Sequence, residues 1–361
     1  MIISNLKLVN FRNYENLDLH LSSGINVFIG ENGTGKTNLV EAINFMTIGK
    51  SYRANDDKEM IKFKEEFARI HLEFEASRKE ILEAVISNQG KQIFRNDVKL
   101  TKLSELSGIL LNVLFTPDDV LLFKDSPIER RKLIDMNLSS LYRLYMNDLV
   151  QYKNLLKQRN AMLKEKEVNR GYIEVITEQM IPFEYQIFKV RKKFIEEIDS
   201  KINEIFKNID DSPSKLKIVY KSSLDEEDDP NDFKEAARSR YEMSLEDDIR
   251  RGSTFYGVHK DDFLMLLGGK NVATYASQGQ NRLAALSLKL TLVKWIKEKT
   301  NQDPIIILDD VLSELDENHQ NNLINELSSY SQVFITCAKD DIKKEDVNYY
   351  VVEENKVYRR N

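Results

Sequence analysis

The sequence predicts an α/β fold in which a mixed sheet carries a β-meander subdomain and a mainly helical second lobe is added. Three observations predict this fold class. The apolar run 25–29 leads into a glycine-rich loop and then an apolar helical pattern, an order typical of a parallel sheet. Over residues 67–115, apolar and polar residues alternate, which indicates a meander of antiparallel strands. Over residues 126–208, apolar residues recur at a spacing near 3.6 with few helix breakers, which indicates long helices.

A strong helix start divides the chain into two parts. Ser126 has the residue type of an N-cap, and Glu129 follows three positions later, as in a capping box. Two or three long helices are expected after it. We therefore predict a discontinuous head over residues 1–125 and 250–361, and a helical lobe over residues 126–249.

Composition limits the class of protein and its location. The chain has 361 residues, 41% of them hydrophobic, which is enough for one large or two modest domains. No apolar run is long enough to cross a bilayer and the N-terminus lacks a signal-peptide pattern, so we expect a cytoplasmic protein with no membrane partner. Cys337 is the only cysteine, which excludes an internal disulfide and a cysteine cluster for zinc.

The charge pattern bears on nucleic-acid binding. The net charge is −6, so the chain as a whole does not attract DNA, and any contact must use local basic clusters. An acidic stretch, 222–232, is expected to be a surface loop. Each candidate basic cluster is equally well interpreted as a solvated helix face. The candidates are Arg130-Arg131-Lys132, Lys189 with Arg191-Lys192-Lys193, and Arg250-Arg251.

The glycine-rich loop has the full spacing of a Walker A motif, G-x-x-x-x-G-K-T. Its glycines let successive backbone N–H groups face phosphate oxygens, and the following helix adds its positive end. Lys36 is expected to reach the β- and γ-phosphates, and Thr37 to bind Mg²⁺. The predicted cofactors are therefore ATP and Mg²⁺. The expected nucleotide-binding residues of the loop are Gly30, Glu31, Asn32, Gly33, Thr34, Gly35, Lys36, Thr37 and Asn38.

A second motif, near the C-terminus, supplies carboxylates. The apolar run 305–308 predicts a buried strand, and Asp309 and Asp310 follow at its end. In parallel α/β sheets this end of a strand is where ligands bind, so the pair fits a Walker B element. Asp309 is expected to hold Mg²⁺ through water, and Asp310 to orient or deprotonate the attacking water.

A third segment, S-Q-G-Q at 277–280, precedes an apolar helix. Ser277, Gly279 and Gln280 at a helix start provide a hydroxyl and free amides for an anion. The order Walker A, S-x-G-Q, Walker B and then "SELD" is specific to the ATP-binding-cassette head, in which this segment of one subunit caps the γ-phosphate bound by another. We therefore expect an ATP-dependent homodimer, with Ser277 acting in catalysis together with Lys36, Asp309 and Asp310.

Four segments together carry a family resemblance: "LKLVNFRNYENLDLHL", "FTPDDVLLFKDSPIERRKLID", "GVHKDDF" and "LDDVLSELD". With them the chain resembles the RecF family of bacterial recombination and gap-repair ATPases over nearly its whole length. The resemblance implies an ATPase head related to structural-maintenance-of-chromosomes proteins. It also implies ATP-dependent binding of double-stranded and gapped DNA, and cooperation with RecR and RecO to load RecA.

The resemblance assigns roles to further residues. Ser277 to Gln280 match the signature segment, and Ser313 to Asp316 match the D-loop of the dimer interface. Arg12 occupies the position where related heads direct an arginine at the nucleotide. The alternative for Arg12 is an ordinary surface charge between two strands.

The chain departs from the patterns of its relatives at several positions. Val258 and Lys260 stand where the family has Pro and Arg, and Lys lacks the planar fork of Arg. Thr336 stands where transporter ATPases have a histidine, and Asp310 replaces their glutamate, so we expect slow hydrolysis. No glutamine of a Q-loop is found near 115–117.

Two other classes of protein share part of these motifs. A transporter ATPase subunit would share all three motifs, but such subunits are usually shorter, lack the helical insertion and carry the missing histidine. A small-metabolite kinase would use the Walker A loop and leave S-x-G-Q and "SELD" without a purpose.

Overall fold

The structure is a computed structural model that describes residues 1–210, 212–223, 229–339, 342 and 347–360. It divides into two compact units. The first unit comprises residues 1–119, 204–212 and 285–361, and the second comprises residues 120–203 and 213–284. Of the predicted acidic loop, 222–232, residues 224–228 lie outside the described residues.

An antiparallel sheet forms one part of the first unit. Its strand order is β2-β1-β4-β5-β6-β7, and all neighbours run antiparallel. Strands β4 to β7 follow each other in sequence and in space, as the predicted meander requires. The strands are β1 (Ile2–Phe11), β2 (Tyr14–His20), β4 (Phe67–Glu75), β5 (Lys79–Ser87), β6 (Gly90–Arg95) and β7 (Val98–Lys99).

A second sheet in this unit is mixed and carries the motifs. Its order is β15-β14-β3-β13-β12-β8, and all pairs are parallel except the antiparallel pair β14 and β15. The strands are β3 (Gly24–Ile29), β8 (Asn112–Phe115), β12 (Ile305–Asp309), β13 (Gln332–Cys337), β14 (Val347–Glu353) and β15 (Lys356–Arg359). Every residue of β12 and β13 is buried, as expected for parallel strands covered on both faces. The predicted α/β class is confirmed.

The prediction that the meander extends to residue 115 is wrong. Strand β8 falls inside the predicted range 67–115, yet it pairs in parallel with β12 in the mixed sheet. Two of its four residues, Val113 and Phe115, are buried, so it has the same alternation as a meander strand. Alternation reports the buried face of a strand and does not report which sheet the strand joins.

The helices of the first unit flank these sheets. The P-loop helix α1 spans Lys36–Ile48, and α8 spans Glu317–Leu327. Short 3₁₀ helices cover Asp57–Met60, Leu103–Glu105 and Leu312–Glu314, and a fourth, Pro117–Leu121, begins in this unit and ends in the second. No helix among the described residues is long and apolar enough to cross a membrane.

The second unit is mainly helical. Its helices are α2 (Pro127–Leu141), α3 (Arg143–Met162), α5 (Pro230–Arg251), α6 (Val272–Tyr275) and most of α4 (Arg170–Ile209). A small antiparallel sheet, β11-β10-β9, accompanies them, with β9 (Leu216–Lys221), β10 (Asp262–Leu267) and β11 (Lys270–Asn271). Helix α7 (Gln278–Thr300) begins in this unit and ends in the first.

The two units divide the chain differently from the predicted head and lobe. Residues 250–284, assigned to the head from sequence, belong to the second unit. The reason is strand pairing, since β10 pairs with β9 over six residues, and Arg130 of α2 binds both carboxylate oxygens of Asp262 at 2.7 and 2.9 Å. Residues 204–212 belong instead to the first unit.

A buried carboxyl group lies in the interior of the second unit. Glu184 of α4 is fully buried, and its Oε1 accepts hydrogen bonds from the Tyr241 hydroxyl at 2.7 Å and the Val258 N–H at 3.3 Å. The Tyr152 hydroxyl lies 3.1 Å from the same oxygen and 2.6 Å from Nδ1 of His259. Burial raises the pKa of Glu184 to about 7 and lowers the pKa of His259 to about 4.

Candidate nucleotide-binding site

The glycine-rich loop connects β3 to α1 through backbone conformations that favour glycine. Gly33 has φ of 88° and Gly35 has φ of 109°, both strained for residues with a Cβ atom. A Cβ atom on Gly35 would also lie 2.5 Å from Asn13 Nδ2 and 2.8 Å from the Tyr14 hydroxyl. The loop is therefore closed on one side by the turn between β1 and β2.

Gly30 has a different constraint. A Cβ atom there would lie 2.3 Å from the carbonyl oxygen of Val352 in β14. The first glycine of the motif therefore permits close packing of the loop against a neighbouring strand, and the third permits the turn into the helix.

Lys36 folds back onto the loop that precedes it. Its ammonium donates to the carbonyl oxygens of Gly30 at 2.6 Å and Glu31 at 2.8 Å. Burial lowers the pKa of Lys36, and the carboxylate of Asp310 is the strongest influence in the opposite direction. The ammonium is thus placed within the curve of the loop and in the field of Asp310.

Asp309, at the end of β12, is held by three hydroxyl groups. Thr37 and Thr336 donate to its Oδ1 at 2.9 and 2.8 Å, and Tyr52 donates to its Oδ2 at 2.7 Å. The carboxylate is buried, so these bonds compensate for much of the lost hydration. The Walker A threonine and the Walker B aspartate, 272 positions apart in sequence, are in contact in the folded chain.

This donor set fits magnesium. Mg²⁺ prefers oxygen ligands and binds through one or two protein groups plus substrate phosphates. Thr37 and Asp309 present a hydroxyl and a carboxylate side by side at the loop. No group of three or more His, Cys, Asp or Glu side chains that could hold a metal occurs among the described residues, so no all-protein metal cage competes with this arrangement there.

Asp310 adopts an unusual backbone conformation. Its φ is 54°, in the left-handed region, where Asp is more tolerated than most residues. Its N–H donates to the Thr336 hydroxyl at 2.9 Å, and its carbonyl accepts from the Ser313 hydroxyl at 3.0 Å. Asp310 is therefore fixed from both sides of its backbone.

Arg12 contacts a carboxylate inside the head. Its Nε and Nη2 donate to the two oxygens of Glu41 at 2.9 and 2.6 Å, and its Nη1 donates to the Glu59 carbonyl at 2.8 Å. Glu41 lies in α1, fully buried, and also accepts from Ser51 and Arg53. The expected orientation of Arg12 toward the nucleotide stays a prediction, since the structure shows this carboxylate as its partner.

Sequence reasoning missed Tyr52, Glu41 and Asn13. Tyr52 lies outside every motif, and only the folded chain brings it to Asp309. Glu41 carried a signal, because a charged residue in the middle of an apolar helix segment needs a partner. Asn13 links the β1–β2 turn to the loop by donating to the Thr34 carbonyl at 3.2 Å and accepting from Asn38 at 2.7 Å.

The S-x-G-Q segment starts α7 and belongs to the second unit. The Gln280 N–H donates to the Ser277 hydroxyl at 3.2 Å, and the Ser277 N–H donates to the Gln280 side chain at 3.0 Å. This is the reciprocal pattern of a capping box. Ser277, Gln278, Gly279 and Gln280 are all exposed. The segment thus presents an ordered helix start on the surface of its unit.

These features define the class of protein. A Walker A loop on one buried strand, an aspartate bound to its threonine from a second strand, and an exposed S-x-G-Q helix start constitute a P-loop ATPase head of the ATP-binding-cassette type.

Comparison with known proteins identifies the family. The family described as the RecF/RecN/SMC N terminal domain matches residues 2–359. The "DNA replication and repair protein RecF" of Clostridium novyi is 38% identical over 348 residues, covering 95% of both chains. That of Bacillus velezensis is 37% identical over 350 residues, covering 94% of both chains. The chain belongs to the RecF/RecN/SMC family, and within it to the RecF proteins.

Solved structures agree with this assignment. The structure described as the "recombination mediator protein RecF-ATP in RecFOR pathway" superposes with a TM-score of 0.91 at 32% identity, covering 100% of this chain and 98% of that one. A structure of an Smc head bound to the C-winged helix domain of ScpA has a TM-score of 0.61 at 18% identity, covering 100% of this chain and 98% of that one. The second likeness concerns the fold alone.

Proposed function

We propose that this chain is an ATP-dependent DNA-binding protein of recombinational gap repair. The observation that carries the proposal is the bond between Thr37 of the Walker A loop and Asp309 of the Walker B strand, with Lys36 folded into the same loop. The solved relative described as bound to ATP supports ATP as the nucleotide.

The residues of the candidate site have separate roles in the binding and hydrolysis of ATP. The backbone from Gly30 to Asn38 surrounds the phosphates, and Lys36 contacts the β- and γ-phosphates. Thr37 and Asp309 hold Mg²⁺, which neutralises charge on the phosphates when bound. Asp310 orients or deprotonates the attacking water. Ser277, Gly279 and Gln280 of a second copy cap the γ-phosphate.

Hydrolysis is expected to be slow. The carboxylate of Asp310 is one methylene shorter than that of a glutamate. The hydroxyl of Thr336, where transporter ATPases have a histidine, is already bonded to Asp309 and the Asp310 N–H. A weak ATPase suits a switch in which the ATP-bound state must persist long enough to bind a partner.

The proposed partners follow from the relatives. ATP closes a homodimer, closure assembles a surface for double-stranded and gapped DNA, and hydrolysis releases the DNA. The second unit couples closure to DNA binding, and RecR with RecO uses the bound state to load RecA. A protein with these partners acts in the cytoplasm.

The test is ATP-driven dimerisation of the Ser277→Arg variant. The signature segment must contact the γ-phosphate bound by the partner subunit, so the bulky arginine should abolish dimerisation while the monomer still binds ATP. Sedimentation velocity with and without ATP measures the fractions of monomer and dimer. Calorimetry measures the affinity for ATP. Ser126→Arg, at another exposed helix start of the second unit, is the matched control and should dimerise normally. Unchanged dimerisation of Ser277→Arg would contradict the proposal.

A further inference from the structure

One hydroxyl group connects the two aspartates of the site. Thr336 Oγ1 lies 2.8 Å from Asp309 Oδ1 and 2.9 Å from the backbone nitrogen of Asp310. Thr336 is fully buried in β13, directly opposite Asp309 in the parallel pairing of β12 and β13. The strand register therefore fixes where this hydroxyl lies.

The direction of both bonds follows from their chemistry. A backbone N–H can only donate and an ionised carboxylate can only accept. The single hydroxyl hydrogen of Thr336 must therefore point to Asp309, and its lone pair must accept from Asp310. Serine could provide both bonds, whereas valine, of nearly the same shape, could provide neither.

The bond to Asp310 stabilises a conformation that Asp310 would otherwise rarely adopt. A left-handed non-glycine residue persists when its surroundings fix it, and such residues cluster at functional sites. Without Thr336, the Asp310 N–H loses its partner and the left-handed turn loses one of the two bonds that hold it. The direction of the Asp310 side chain depends on that turn.

The other contacts of the two aspartates do not duplicate this link. In the part of the chain that the structure describes, Thr37 and Tyr52 bond to Asp309 and not to Asp310, and Ser313 bonds to the Asp310 carbonyl and not to Asp309. Among the described residues, Thr336 is thus the side chain that bonds to both.

We propose that Thr336 is a positioning residue that sets the water-orienting carboxylate of Asp310 relative to the metal-binding carboxylate of Asp309. The proposal rests on the proposed ATPase function. It implies that the hydroxyl acts on the hydrolytic step and on Mg²⁺ binding more than on the affinity for nucleotide itself.

The first test compares hydrolysis by Thr336→Val, Thr336→Ser and the wild type. Loss of a group that orients a site residue typically lowers activity about 10- to 100-fold. We expect a fall of that size in kcat for Thr336→Val, with KM for ATP changed less than about threefold. Thr336→Ser should restore kcat to within about threefold of the wild type, since it keeps the hydroxyl.

The second test measures binding without turnover. Calorimetry gives the affinity for ADP in the presence of Mg²⁺ and in the presence of EDTA. The ratio of the first affinity to the second, here called the Mg²⁺ ratio, measures the contribution of the metal. Thr336→Val should lower this ratio, because Asp309 loses one of the donors that orient it, and Thr336→Ser should not. Thr291→Val is the control, since Thr291 is also fully buried and its hydroxyl donates only to the Ser287 carbonyl of its own helix at 2.6 Å.

The outcomes separate the inference from the function on which it rests. A Thr336→Val protein with wild-type kcat and wild-type Mg²⁺ ratio would overturn the inference, as would a Thr336→Ser protein as defective as Thr336→Val. Equal losses in Thr291→Val would show a general effect of valine in the core and would also overturn it. If the wild type hydrolyses no ATP, the proposed function fails, and the Mg²⁺ ratio alone decides the inference.

Discussion

At the scale of single residues, the candidate site depends on side chains that orient its carboxylate and its glycine-rich loop. Thr37, Tyr52 and Thr336 together surround Asp309, and Asn13 connects the loop to the β1–β2 turn. The three contacts to Asp309 satisfy the acceptors of a buried carboxylate, which would be costly to leave unpaired. The position of the Asp309 carboxylate is thus set by bonds within the chain itself.

Gly35 offers a direct test of the loop. Gly35→Ala combines an unfavourable φ of 109° with overlap against Asn13 and Tyr14, so the loop must move. We expect ATP affinity to fall at least about tenfold, an amount that corresponds to about 1.4 kcal/mol. Calorimetric titration with ATP measures it.

The control for Gly35→Ala is Gly90→Ala. Gly90 has a similar φ of 118°, but a Cβ atom there meets nothing within 4 Å. This variant carries the backbone strain without the overlap, and should bind ATP normally. Equal ATP affinities in the two variants would show that the close approach at Gly35 is unimportant.

The residue scale is where the sequence predicted the site best and also where it fell short. Lys36, Thr37 and Asp309 were predictable because their motifs have fixed spacing within single strand-loop-helix elements. Tyr52 and the bonds of Thr336 were not, because they depend on which strands become neighbours. Local spacing records local geometry only, and pairing between distant strands leaves little trace in one sequence.

At the scale of elements, α3, α4 and α5 meet around Glu184. The hydrogen-bond partners of this buried glutamate are two tyrosines and one N–H, and no cation is among them in the described part of the chain. The helices therefore pack best around the protonated form. A carboxyl group with a pKa of about 7 changes charge within the range of ordinary buffers.

Glu184 predicts a pH dependence of stability. Its pKa is raised from 4.5 to about 7, so the folded protein holds a proton that the unfolded chain has lost. Its contribution to stability is complete below pH 4.5 and is lost as the pH rises through about 7. The loss amounts to about 3 kcal/mol, from about 1.4 kcal/mol for each pKa unit.

Glu184→Gln should remove this dependence, since the amide cannot ionise and keeps a carbonyl acceptor for Tyr241 and Val258. Urea unfolding of both proteins between pH 5 and 8 measures the difference, which cancels groups common to both, such as His259. If the free energy of unfolding changed with pH in the same way for the two proteins, Glu184 would be excluded as the titrating group.

The elements also show where sequence reasoning about topology fails. The alternating pattern predicted strands correctly but assigned β8 to the meander, whereas it pairs with β12. Similarly, residues 250–284 join the second unit because β10 pairs with β9. These two strands are separated in sequence by a helix of 22 residues. Both errors concern partners that are far apart in sequence.

At the scale of the whole molecule, the charge balance limits how DNA can be bound. With a net charge of −6, the protein repels DNA at long range, so binding requires basic groups brought to one surface. ATP-driven closure is the event proposed to assemble such a surface. DNA binding should therefore depend on both nucleotide and salt.

The corresponding prediction uses Asp310→Asn to limit turnover. With ATP, this variant should sediment as a dimer that retains duplex DNA, and with ADP or no nucleotide it should not. Raising the salt from about 50 to about 200 mM should weaken the DNA complex at least about tenfold, because phosphate contacts release counterions. The dimer itself, measured without DNA, is the control and should persist. Equal retention of DNA with ATP, with ADP and without nucleotide would contradict the proposal that ATP controls DNA binding.

The strand order of the mixed sheet has a consequence for biosynthesis. The loop strand β3 lies between β13 and β14, and Gly30 packs against Val352, more than 300 positions downstream. At about 5–20 residues per second, a ribosome needs roughly 15–60 s to pass from one to the other. During that interval the emerging β3 has neither neighbour, so the chain acquires its nucleotide loop only near the end of translation. Chaperones have that whole interval in which to shield the apolar strand.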